Sequence, residues 1–216
     1  MAGAFHLPVW FDLGATFAFA LTGALAAIRR GYDIVGVFFL ALATGLGGGL
    51  IRDGIFIPGE GPTPLLLDPR YIELVAAGTV CGALFGRHVK RLRRSIAVID
   101  ALGLGAYAAF GTAKALHAGL AVPAALLVGV INAAGGGLLR DIIAREEPLV
   151  FRPGQFYVLT ALAGAVTFVS LNVQFELAAT PAAIAAIAVT LVFRGLTIVF
   201  NWRTSAVGAE EKDVVP

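Results

Sequence analysis

Gly47-Gly48-Gly49-Leu50-Ile51-Arg52-Asp53 governs the reading of the whole chain, because it returns as Gly135-Gly136-Gly137-Leu138-Leu139-Arg140-Asp141. In each copy three glycines close a long apolar run, and an Arg-Asp pair follows after two apolar residues. Glycine is a poor helix interior, costing roughly 1 kcal/mol per residue against alanine. Three in a row, written twice with the same charges behind them, predict two membrane helices broken at matching places in two halves of one protein.

The composition around these motifs is that of a membrane protein. Of 216 residues 58% are hydrophobic and 14% charged, with a mean hydropathy of +0.87. A soluble domain carries about 25% charged residues. The net charge of +2 is too small to point to a nucleic-acid partner. A lone cysteine, Cys81, excludes an intrachain disulfide. Residues 1–6 lack the basic start of a cleaved signal peptide, so the first apolar run is expected to stay as a membrane helix. His6, His88 and His117 have no metal-ligand spacing, and no Ser-His-Asp set or phosphate-binding loop occurs. The expectation is a non-enzyme without cofactor or resident metal.

Crossing the hydrocarbon core takes about 20 apolar residues. On that basis the chain is an all-α membrane protein with seven spans, near 9–28, 34–56, 71–87, 95–116, 121–143, 155–173 and 181–200. Pro58 to Pro64 reads as a loop. The interrupted second and fifth spans could instead be re-entrant. Basic loops stay in the cytoplasm. The cluster from Arg87 to Arg94 therefore sets the third loop inside, the N-terminus outside and the tail, 201–216, in the cytoplasm. The same cluster also suits anionic lipid headgroups.

Asp12 and Asp100 lie 88 positions apart, and that offset carries Gly23 onto Gly111, Gly31 onto Gly119 and Arg52-Asp53 onto Arg140-Asp141. With two residues fewer in the second copy, Tyr71 meets Tyr157. Residues 9–87 and 95–173 thus form two three-helix repeats, with 181–200 added as a seventh helix. An odd number of spans per repeat inverts the second copy in the membrane. Inverted repeats commonly hold a site at their interface, near the midplane.

A break in lipid must be buried in protein or line a water path. Such breaks at Gly47–Gly49 and Gly135–Gly137 would offer backbone oxygens and half-helix dipoles to a cation, though small residues also serve close packing. Charged residues inside a span are read as functional. Arg52, Asp53, Arg140 and Asp141 are accordingly candidate pore or gating charges, or else interfacial groups. Neighbours on a helix do not face each other, so each arginine is expected to pair not with the adjacent aspartate but across the repeats. Asp12 and Asp100 open their spans, as helix-end carboxylates or as cation-attracting groups at two mouths. Lys114 has Ala26 as its counterpart, so the halves differ electrically there. Thr44 and Asn132 match one turn before the triplets and are candidates for a polar path.

These residues together resemble the trimeric intracellular cation (TRIC) channel family in its prokaryotic branch, over about residues 10–200. The duplicated Gly-Gly-Gly-x-x-Arg-Asp carries most of the resemblance. It implies a homotrimer in lipid, each subunit with its own pore between the repeats, passing K⁺ and, less selectively, Na⁺. It also implies kinks at both triplets. The basic phosphoinositide motif of the animal members is not matched, so no lipid ligand is carried over. The alternatives are a secondary transporter of a small zwitterion such as glycine, and a non-conducting scaffold. A bacterial or archaeal plasma membrane is the expected location.

Overall fold

The computed structural model describes residues 6–59, 61–86, 93–152 and 156–202, with the side chains of 93–95 excepted. Most of the basic cluster at 87–94, the first five residues and the tail from 203 lie outside the described residues. Among those described, the chain forms eight α-helices: α1 Trp10–Arg29, α2 Ile34–Ile51, α3 Pro64–Leu67, α4 Pro69–Phe85, α5 Arg93–His117, α6 Val122–Ile143, α7 Tyr157–Val169 and α8 Ala179–Val199. Single π-helical turns extend α2 through Arg52–Phe56 and α7 through Ser170–Gln174.

Local chemistry sets the ends. Asp33 caps α2 by accepting the Gly36 N–H at 2.8 Å, and Asp68 caps α4 with Pro69 in its first turn. The loop expected from Pro58 to Pro64 runs into a short helix, started by the Thr63 cap and Pro64. It buries Leu65 completely. Gly31 and Gly119, equivalent by the 88-residue offset, stop α1 and α5 with φ of 75° and 85°. The next amides, of Tyr32 and Leu120, reach back to the carbonyls of Ala27 and Ala115. Only a residue without Cβ adopts that left-handed end cheaply.

Helices α1, α2, α5 and α6 form the centre: α1 packs on α2 and α5, and α6 packs on α5 and α2. α4 covers α1 and α2, while α7 and α8 cover α5. The core is rich in alanine, with Ala20, Ala24, Ala27, Ala108, Ala109 and Ala161 fully buried. Large apolar side chains such as Phe39, Leu84 and Val199 point outward. Small residues inside and large ones outside suit packing in lipid, where close backbone approach rather than water exclusion drives association. Among the described residues, six helices are long and apolar enough to cross a membrane. α4, with 17 residues, is shorter than these.

The helices are not broken at the triplets. α2 runs through Gly47–Gly49 and α6 through Gly135–Gly137 as continuous α-helix, and the irregular turn comes after the first triplet, at Arg52. The glycines serve a close crossing instead. A Cβ on Gly48 would collide with the carbonyl of Asn132, and one on Gly136 with the carbonyl of Thr44. Contact between the backbones of α2 and α6 repays the low helix propensity of the triplets.

Candidate functional site

Two buried charge clusters flank this crossing. In the first, Arg52 is 1% exposed and lies between two carboxylates. Its Nη1 donates to Asp12 Oδ1 at 3.0 Å, and its Nε to Asp53 Oδ1 at 2.6 Å. Nη1 also reaches Asn132 Oδ1 at 3.3 Å. Tyr71 donates to Asp12 Oδ2 at 2.7 Å and Thr63 to Asp53 Oδ2 at 2.9 Å. Lys114 donates from Nζ to both Asp53 oxygens, at 2.8 and 2.9 Å. The guanidinium lies 5.2 Å from the centre of the Phe110 ring, which adds a cation–π contact.

The second cluster repeats the frame with fewer parts. Arg140 Nη1 donates to Asp100 Oδ1 at 3.2 Å, and Nε to Asp141 Oδ1 at 2.9 Å. Both arginines thus bind the carboxylate 40 positions before them. Arg140 also donates to Thr22 Oγ1 at 3.3 Å, and Asp141 accepts the Leu149 N–H at 3.1 Å. Position 22 and its equivalent, 110, each face the arginine of the opposite half. Breaking one member of a buried charge set strands the others, so these clusters are fixed points of the fold.

Several expectations change here. Each arginine does pair with the aspartate next to it. The rule against neighbouring pairs concerns Cβ directions, and arginine is long enough to curl its Nε back while its fork reaches another helix. The charged partners of the arginines lie within their own halves, on α1 for α2 and on α5 for α6, while the first cluster reaches across the halves through Lys114–Asp53 and Asn132 and the second through Thr22. Asp12 is 1% exposed, and Asp100 lies two turns inside α5, which begins at Arg93. Asp12 is a buried counter-charge rather than a group at an open mouth, whereas Asp100, 7% exposed, borders a cavity. Thr44 is fully buried, donates to the Leu40 carbonyl at 2.6 Å and packs against Gly23. Asn132 donates to the Tyr107 carbonyl at 2.8 Å while accepting from Arg52. It is the one of the matched pair that joins a charge cluster.

Each cluster borders a cavity. One of ≈ 320 Å³ lies beside Lys114, Phe110, His6 and His117. Another, of ≈ 240 Å³, is lined by Thr22, Asp100, Arg140, Asp141 and Arg194. Sequence reasoning passed over Thr22, Tyr107, Phe110 and Arg194. The hydroxyl of Tyr107 binds Thr16 at 2.8 Å and the Gly45 carbonyl, tying α5 to α1 and α2. Arg194 carried a readable signal, a single arginine inside the apolar run of α8. The other three are ordinary core residues in pattern.

The family model described as "Glycine transporter" matches twice, over residues 9–87 and 97–173. The UPF0126 inner membrane protein YadS of Escherichia coli (strain K12) is 31% identical over 189 residues, 87% of this chain and 90% of that one. A UPF0126 membrane protein of Deinococcus radiodurans is 36% identical over 157 residues, 72% of each chain. Among solved structures, the TRIC trimeric intracellular cation channel orthologue from Rhodobacter sphaeroides superposes with a TM-score of 0.82 at 32% identity, covering 89% of this chain and 97% of that one. A second, from work on conductance through TRIC cation channels, has the same TM-score of 0.82 at 29% identity, over 95% and 99%. Multi-pass, helical and matched over most of its length by this duplicated family, the chain belongs to the prokaryotic branch of the trimeric intracellular cation channel family.

Proposed function

We propose that the protein is a passive channel for monovalent cations, K⁺ and less selectively Na⁺, with a path through each subunit of a homotrimer. The observation that carries this reading is the pair of cavities, one lined by Lys114 of the first charge cluster and the other by Asp100, Arg140 and Asp141 of the second, in a fold shared with TRIC cation channels. The path runs from the Lys114 cavity past Arg52, Asn132 and the α2–α6 crossing to Arg140 and its cavity. Helical carbonyls at the triplets are already hydrogen-bonded, so the oxygens for a partly dehydrated ion come from side chains, chiefly Asp53 and Asp141. Arginines inside a path would repel cations; their flanking carboxylates offset that charge.

In the same reading α4 completes seven spans, residues 9–87 and 95–173 are inverted repeats, and 181–200 is an addition. The N-terminus faces outward and the tail inward, in a bacterial inner membrane. Purified protein in planar bilayers under a KCl gradient tests the proposal. Discrete current steps reversing near the K⁺ equilibrium potential are expected; silent bilayers holding folded protein would count against it.

A second reading, secondary transport of a small zwitterion such as glycine, is favoured by the description of the matching family. The Arg140 cavity holds both signs of charge, as recognition of an ammonium and a carboxylate requires. Saturable uptake of labelled glycine into liposomes separates the two readings.

A further inference from the structure

The two clusters are built alike but are not equal in charge. Asp12, Arg52, Asp53 and Lys114 form a balanced set of two anions and two cations. Asp100, Arg140 and Asp141 leave one negative charge over. The position that supplies the lysine to the first cluster is occupied in the second by Ala26, which lines the Arg140 cavity. Into that same cavity comes Arg194, from α8, the helix outside the repeated segment.

Arg194 is 6% exposed, and its guanidinium lies 5.1 Å from the ring centre of Tyr157. Tyr157 is the equivalent of Tyr71, which binds Asp12 in the first cluster. Among the described residues, the remaining charges lining the cavity or paired with its lining lie at its rim. Glu146 pairs with Arg30 at 3.0 Å, and Glu147 with Arg152 at 3.4 Å, all four well exposed. Arg29 is exposed as well. Water screens such groups, whereas a buried charge acts at several times the strength.

We propose that Arg194 is the charge-balancing residue of the second cluster, taking there the part that Lys114 takes in the first, and that it sets how readily cations pass from the Arg140 cavity. Helix α8 thereby supplies the cation that the second repeat lacks. Removing that charge leaves Asp100 and Asp141 with a surplus that attracts cations on one side of the membrane only. The effect is therefore directional: it changes rectification, whereas a packing defect lowers current equally in both directions.

The inference rests on the channel reading, and its test separates the two. In bilayers with wild-type protein as reference, Arg194→Gln is expected to raise cation current from the Arg140 side by about five-fold relative to the opposite direction. Arg194→Lys restores wild-type rectification. So does Arg194→Ala combined with Ala26→Lys, which moves the cation to the position used in the first repeat. Unchanged rectification in Arg194→Gln, or no rescue by Ala26→Lys, would overturn the proposal. If wild-type protein itself passes no current, the channel reading falls, and charge balance is read from thermal unfolding in detergent. There Arg194→Gln and Asp100→Asn together should lose less stability than the sum of the two single changes. Additive losses would sink the charge-balancing role whatever the transport activity.

Discussion

Gly48 of α2 lies so close to the carbonyl of Asn132 on α6 that a methyl group does not fit between them. Gly136 stands in the same relation to Thr44, so the two helices cross glycine against backbone in both directions. Gly48→Ala or Gly136→Ala forces the helices apart. Each is expected to cost about 1–3 kcal/mol, the usual range for an overpacked core. Gly14, with open space where a Cβ would stand, is the control: Gly14→Ala should be neutral or stabilising by up to about 1 kcal/mol. Thermal unfolding of the purified protein in detergent checks both.

Arg52 makes a similar case for charge. It holds Asp12 and Asp53 while nearly fully buried. Arg52→Met leaves Asp12 buried without its cation, while Asp53 keeps Lys114, and should cost about 3–5 kcal/mol. Adding Asp12→Asn should recover part of that loss, because the stranded charge goes with it. A double-mutant cycle on unfolding reads the coupling, and strict additivity would show that the ion pair is not a unit.

Lys114 is the accessible member of the first cluster, with a side chain 29% exposed to its cavity. Lys114→Gln releases Asp53 and leaves that side with surplus negative charge. Cation current from the Lys114 cavity should rise by about five-fold, the effect of one unit charge near 4 Å even under strong screening. The direction of the rectification should be opposite to that of Arg194→Gln. A change of the same sign in both variants would mean that the two cavities do not lie at opposite ends of one path.

Outside the membrane-spanning segments, Asp68 caps α4 and is chelated by Arg70, with Oδ2 accepting from Nη2 at 2.6 Å. The Arg70 side-chain hydrogen bond holds the Asp68 carboxyl below its ordinary range. A carboxyl depressed in the folded state supports the helix above its unfolded pKa and loses that support as pH falls through the folded one. The first turn of α4 should therefore fray on acidification. Asp68→Ala should fray it at neutral pH and remove the acid dependence. Hydrogen exchange at the Arg70 and Tyr71 amides measures both.

Helix order was legible in the residues because lipid demands long apolar runs: α1, α2, α5 and α6 each begin or end within about two residues of their expected positions. The matching of Arg52 with Arg140 and of Asp12 with Asp100 was legible too, since duplicated chemistry keeps its spacing. Glycine was misread. A triplet in isolation argues for a broken helix, but Gly48 and Gly136 sit in continuous helices whose backbones touch. Helix α8 was also undervalued, because nothing in its run says which cavity Arg194 lines.

By itself, then, the sequence determined an all-helical membrane protein with two related halves and a matching set of charged residues in each. Apolar length and repeated spacing are properties of the linear chain. The tertiary structure alone decided that Arg52 and Arg140 bind carboxylates in their own halves, that Lys114 reaches Asp53, and that Arg194 lines the same cavity as Arg140. Those pairings depend on which faces of α1, α2, α5, α6 and α8 meet. Local spacing cannot state a contact between helices whose approach is set by glycine and alanine elsewhere along their length.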